Sequence, residues 1–315
     1  MSHLHSRREF FGRSLGAGAL VAGLTTGPFT ADAILPIPRS GLPRLHLGLA
    51  AYSFRQSFQD VLKGDASAAK PGRSMDMLQF VDYCADQGCL GAELTSYFFP
   101  KTVDDAYLRE VRRRAFLRGI IISGTAVGNS FVLPKGEKRD QEIVSVKQWI
   151  DRASVLGAPH IRIFAGSLPA GLGLAAAQKL CIEAIEECCD YAGQKGIYLG
   201  LENHGGIVAE PEGLLEIVKA VQSPWFGVNL DTGNFHTDPY SDIKTCAPFA
   251  VNVQIKVAIK RKDQKESAPA DLGRLVTILR EAGYQGFVTL EYEEKEDPWT
   301  AVPEWLNKLR SALDR

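Results

Sequence analysis

The chain has 315 residues, 45% of them hydrophobic and 23% charged, with a formal net charge of −1. That supports a sizeable core and suits either one (β/α)8 barrel or two ordinary domains. No basic stripe is present, which argues against a nucleic-acid partner.

The first residues read as an export address. Ser6-Arg7-Arg8-Glu9-Phe10-Phe11 is a twin-arginine pattern, followed by an uncharged apolar stretch from Ser14 to Thr30 and a small-residue site, Ala31-Asp32-Ala33. Residues 1–33 are therefore read as a signal peptide and 34–315 as one mature domain, periplasmic or otherwise exported. No later stretch is apolar for long enough to span a bilayer.

Along the mature chain, β-rich runs alternate with helical patterns, as in parallel βαβ units. Expected strands are Leu45–Ser53, Leu90–Thr95, Gly119–Thr125, His160–Ala165, Ile197–Glu202, Phe226–Asp231, Val251–Lys256 and Phe287–Tyr292. Amphipathic stretches lie between them, including Val103–Arg118, Glu142–Leu156, Ala175–Lys195 and Leu272–Ala282. Glycines at 88, 119, 196 and 283 stand where a helix should hand over to a strand. Eight such units without a linker predict a single closed (β/α)8 barrel, a TIM barrel. The polar loop from Lys63 to Ser74 is expected over its mouth. Cys181, Cys188 and Cys189 read as packed thiols on one helix, and a Cys84–Cys89 pair is left open.

The last four strands carry Glu202, Asp231, Gln254 and Glu291 at the ends of their apolar runs. One acid at a strand end could simply cap the next helix. Four in succession suggest oxygen ligands converging on the active face of a barrel, where a hard divalent cation such as Mn²⁺ or Mg²⁺ would offset their repulsion.

This pattern resembles the xylose-isomerase-like sugar phosphate isomerase/epimerase superfamily of TIM barrels, from about Leu45 to Leu313. The resemblance implies one divalent ion on Glu202, Asp231, Gln254 and Glu291, with glutamine at the third place as in the hydroxypyruvate-isomerase branch. It also implies that Glu202 and Glu291 form the acid/base pair that moves a proton next to a carbonyl. Two departures stand out. Asn234 occupies a place where the family often has histidine, with His236 nearby instead, and Val-Gln-Ile-Lys-Val-Ala-Ile-Lys-Arg replaces the usual signature around the third ligand.

His204, two residues after Glu202, is expected to face the same cavity, and Lys256, two after Gln254, to polarise a carbonyl or enolate oxygen. Asn234 is a candidate for substrate binding or for capping the next helix. Glu93 is a weaker candidate, with Arg162 as its expected partner, and Tyr52, Phe54, Phe131 and Trp225 are read as packing. The expected activity is a metal-dependent isomerase or epimerase acting through an enediolate on a small carbohydrate. An unphosphorylated sugar or keto-sugar fits the leader better than a sugar phosphate. A lyase acting on a 3-keto-glycoside is the alternative, and a non-catalytic sugar-binding barrel a third reading. A phosphodiesterase of the endonuclease IV kind would need more histidine than the mature chain holds. A homo-oligomer is compatible with all of these.

Overall fold

The structure, a computed structural model, describes residues 36–62 and 73–315. The expected leader and most of the Lys63–Ser74 loop lie outside the described residues. Eight parallel strands close into a barrel: β1 (Leu45–Ala50), β2 (Gly91–Thr95), β3 (Ile121–Ala126), β4 (His160–Ile163), β5 (Tyr198–Glu202), β6 (Phe226–Asp231), β7 (Ala250–Ile255) and β8 (Gly286–Leu290). β8 pairs with β1 to close it, from Leu45 opposite Gly286 to Leu49 opposite Leu290.

Around the barrel run α1 (Arg55–Leu62), α2 (Met77–Asp86), α3 (Asp105–Leu117), α4 (Glu137–Leu156), α5 (Leu174–Gln194), α6 (Pro211–Ala220), α7 (Pro239–Cys246), α8 (Leu272–Glu281) and α9 (Pro298–Leu313). Gly88, Gly119, Gly196 and Gly283, just past α2, α3, α5 and α8, all have φ of 68–69°. That left-handed conformation is what a helix C-terminus needs to turn into the next strand, and side chains with a Cβ resist it.

Most expected boundaries shift by one or two residues, and two move further. β1 ends at Ala50 rather than Ser53, because Ala51–Phe54 forms a short 3₁₀ turn and the Ser53 hydroxyl accepts the Tyr292 backbone N–H at 2.9 Å. α4 begins at Glu137, five residues earlier than its apolar pattern, with Glu137 and Asp140 in its first turn, where acids favour the positive end of the helix dipole.

Strand alternation divides the side chains. Ile161 and Ile163, Leu199 and Leu201, Val228 and Leu230, and Val253 and Ile255 are buried in the hydrophobic core. Burial of each such side chain contributes roughly 1.5–3 kcal/mol. Cys181, Cys188 and Cys189 join this core from α5, and all six cysteines are buried free thiols, Cys84 and Cys89 included. The intervening positions are polar: His160 and Arg162, Asn229 and Asp231, Asn252 and Gln254, Thr289 and Glu291 are all buried. The lumen is therefore filled by polar side chains, and a polar lumen needs internal partners.

Candidate functional site

At the carboxyl ends of the strands, a cavity of about 240 Å³ is lined by Tyr52, Tyr97, Arg162, Phe164, Glu202, His204, Asn234, Lys256, Glu291 and Glu293. It is small for a ligand pocket and suits a small molecule. The structure thus brings Glu202, Glu291, His204, Asn234 and Lys256 to one place, with Asp231 buried beside them through its contact with Lys256.

Each strand end delivers its residue with local bracing. The Asn203 amide donates to the Asp231 carbonyl at 2.9 Å and accepts the Asp231 N–H at 2.8 Å, locking β5 to β6. Asp231 Oδ1 accepts the Gly233 N–H at 2.8 Å, which fixes its carboxylate. Asn234 donates to Glu202 Oε1 at 3.0 Å, so it holds a carboxylate and caps no helix.

Glu202 is paired with Arg162 of β4, Nε to Oε2 at 2.8 Å. Arg162 also donates to the Val127 carbonyl at 2.7 Å and to the Tyr97 hydroxyl at 3.0 Å, and its guanidinium lies 3.9 Å from the Phe164 ring centre. The expected Glu93–Arg162 pair is therefore not formed, because the guanidinium points up to the mouth and Glu93 lies among amides. Burial pushes the Glu202 carboxyl up to about 7, opposed by Arg162 and reinforced by Glu291.

Lys256 is the centre of the other half. Its ammonium lies 2.5 Å from Glu291 Oε2, 2.8 Å from Glu293 Oε2 and 3.2 Å from Asp231 Oδ2. Burial alone would lower its pKa, but the three carboxylates outweigh burial and hold it well above its ordinary value. Burial pushes Asp231 upward against the pull of Lys256. Lys256 therefore stays charged, with Asp231 pushed up to about 7 beside it.

Gln254 goes elsewhere. Its Nε2 donates to Glu93 Oε1 at 2.7 Å and its Oε1 accepts from Asn229 Nδ2 at 2.6 Å. Asn252 Nδ2 then donates both to Asn229 Oδ1 at 2.8 Å and to Glu93 Oε2 at 2.7 Å. These four side chains form a closed hydrogen-bonded ring in the lumen, in which every donor meets an acceptor.

As arranged, the donor set does not fit a divalent ion. Among the described residues no group of three or more His, Cys, Asp or Glu is spaced to hold one. Gln254 is tied into the ring, Glu202 into Arg162 and Asn234, and Asp231 and Glu291 into Lys256. An ion on the Asp231 and Glu291 oxygens would sit beside the ammonium. Two of the four expected ligands, Asp231 and Glu291, here share the Lys256 ammonium with Glu293.

Three features depart from the sequence reading. Arg162 meets Glu202 and not the expected Glu93. Glu293, two residues after Glu291, lies on the same side, as alternation allows, and reaches Lys256. Tyr52, expected to pack, lines the cavity. His236 contributes nothing to the cavity; its Nδ1 meets the Lys260 carbonyl at 3.0 Å.

Comparison with known proteins adds four findings. A family model described as xylose isomerase-like TIM barrel matches residues 81–309. A putative hydroxypyruvate isomerase of Xenopus laevis is 26% identical over 191 residues, covering 56% of this chain and 69% of that protein. Among solved structures, the 3-keto-D-glucoside 4-epimerase of E. coli has a TM-score of 0.62 at 15% identity, covering 85% of this chain and 100% of that one. The IOLI protein, crystallised with a binding zinc atom, has a TM-score of 0.64 at 16% identity, covering 85% and 96%. At these identities the structural likenesses speak for the fold.

Proposed function

This chain belongs to the xylose isomerase-like TIM barrel family, and on that premise we propose that it is an isomerase or epimerase of a small unphosphorylated sugar or keto-sugar. The observation that carries the reading is the entry of Glu202 and Glu291 into one small cavity from β5 and β8, each steadied by its own cation. One carboxylate removes the proton from the carbon next to the substrate carbonyl. The C–H electron pair becomes the C=C bond of an enediolate, and the carbonyl oxygen takes the negative charge. The other carboxyl returns a proton, to the neighbouring carbon in an isomerase or to the opposite face of the same carbon in an epimerase.

Protein cations near that oxygen supply the stabilisation such a step needs. His204, tilted against Phe164 with ring centres 4.6 Å apart, and Asn234 stand where substrate hydroxyls would be bound. An unphosphorylated substrate is supported by the pairing of Arg162 and Lys256, the two cations that line the cavity among the described residues, with carboxylates. Export rests on the twin-arginine leader in the sequence alone. The divalent-ion dependence expected from the resemblance is the part of the reading that the donor arrangement does not support.

The test is incubation of the purified mature protein with a panel of sugars, keto-sugars and 3-keto-glycosides in D₂O. Deuterium uptake next to the carbonyl is expected with at least one of them. Release of the glycosidic group with loss of that proton would instead favour the lyase. A protein that exchanges nothing across the panel, but binds a member of it, would leave the sugar-binding barrel as the better reading.

A further inference from the structure

Lys256 is built into this site more firmly than a surface lysine that has swung into an empty cavity. Its backbone N–H donates to Thr232 Oγ1 at 3.0 Å, tying the residue to the loop after β6. Its stem lies against Gly233, where an added Cβ would come within 2.4 Å of Lys256 Cγ and 2.8 Å of its Cβ. The turn is shaped around that stem. The ammonium then meets Asp231 and Glu291, two of the acids that the resemblance would place on a metal, and adds Glu293. Gln254, the third expected ligand, instead completes the ring with Glu93, Asn229 and Asn252.

We propose that in this chain the Lys256 ammonium takes the place of the divalent ion, so that the enediolate oxygen is stabilised by a fixed protein cation and the reaction needs no bound metal. The inference rests on the proton-transfer reading above. Lys256 lines the cavity, so a substrate oxygen can reach it. Of its three partners, Glu293 is the one whose side chain is 37% exposed, against 0% for Asp231 and 8% for Glu291. Glu293 is the partner that yields its place to the substrate oxygen, while Asp231 and Glu291 keep the ammonium in position. Balance is kept without a metal: the proton leaves carbon for a carboxylate, the negative charge lands on oxygen beside Lys256, and both are reversed on reprotonation.

The test uses the mature protein, treated with EDTA and dialysed, beside Lys256→Ala. Each is titrated calorimetrically with Mn²⁺ and assayed for deuterium exchange. Wild-type protein is expected to retain less than about one-tenth of an ion per chain and to exchange at the same rate with or without EDTA. Lys256→Ala frees three carboxylates, so its Mn²⁺ affinity should rise at least about tenfold while its exchange falls by about 10²–10³-fold. If that variant does not fold, Lys256→Met removes the same charge at similar length and is held to the same two expectations. Stoichiometric Mn²⁺ in the wild type with exchange lost to EDTA would overturn the proposal, as would a variant that binds Mn²⁺ no more tightly than wild type. Should no compound exchange at all, the proton-transfer reading fails, and the Mn²⁺ titration still decides whether Lys256 fills the metal's place.

Discussion

The Gln254 amide donates to the Glu93 carboxylate at 2.7 Å across the barrel lumen, joining residues 161 positions apart. This contact takes a strand-end residue with the look of a ligand and makes it part of the scaffold beneath the site. Gln254→Ala would leave Glu93 Oε1 and Asn229 Nδ2 each short of a partner. A loss of about 2–6 kcal/mol in unfolding free energy is expected from two buried groups at about 1–3 kcal/mol each. Urea denaturation measures it. A metal ligand would behave differently, losing activity that excess Mn²⁺ restores while stability holds.

Burial pushes the Glu93 carboxyl up to about 7, reinforced by Glu291 and opposed by its hydrogen bonds from Asn252 and Gln254. A raised carboxyl binds its proton more tightly in the folded state, so its contribution is fully present below the ordinary value of 4.5 and is lost as pH rises through about 7. Wild-type melting temperature should therefore fall between about pH 5 and 8. Glu93→Gln, which cannot ionise, should show a shallower fall over the same window. An identical slope in the two proteins would assign the pH dependence to other groups.

Arg162 makes three directed contacts, to Glu202, Val127 and Tyr97, which a lysine cannot reproduce. Arg162 also opposes the burial that raises Glu202. In Arg162→Met the Glu202 carboxyl should rise further, moving the acidic limb of the pH–rate profile to higher pH. The profile of kcat/KM against pH reads this directly, and an unmoved limb would detach Glu202 from the base role.

Glu202→Gln and Glu291→Gln keep the shape of each side chain but cannot take a proton. Either change should lower kcat by about 10²–10⁴-fold, with KM less affected. Exchange on one face of the substrate can survive in one of the two variants, which would identify the carboxylate serving that face. Full retention of kcat in both would remove the acid/base pair from the mechanism.

Much of the architecture is written locally. Alternation of apolar and polar residues in Leu199-Gly-Leu-Glu202 or Val253-Gln-Ile-Lys256 decides which side chains pack under helices and which enter the lumen, since neighbours in a strand face opposite ways. Glycine after a helical run marks the handover to the next strand, because the backbone there requires a positive φ. The strand-end positions of Glu202, Asp231 and Glu291 follow from the same patterns.

What the sequence could not decide is which polar group meets which. Barrel closure sets Glu93 opposite Asn252 and Gln254, and Arg162 of β4 beside Glu202 of β5, through register between strands far apart in the chain. A carboxylate, an amide and an ammonium at strand ends are compatible with a metal site or with one in which the ammonium meets the acids. The choice depends on side-chain reach in three dimensions. Only in the folded barrel does the Lys256 stem run past Gly233 to place its charge among Asp231, Glu291 and Glu293. Coulomb attraction at that range then fixes the pairing.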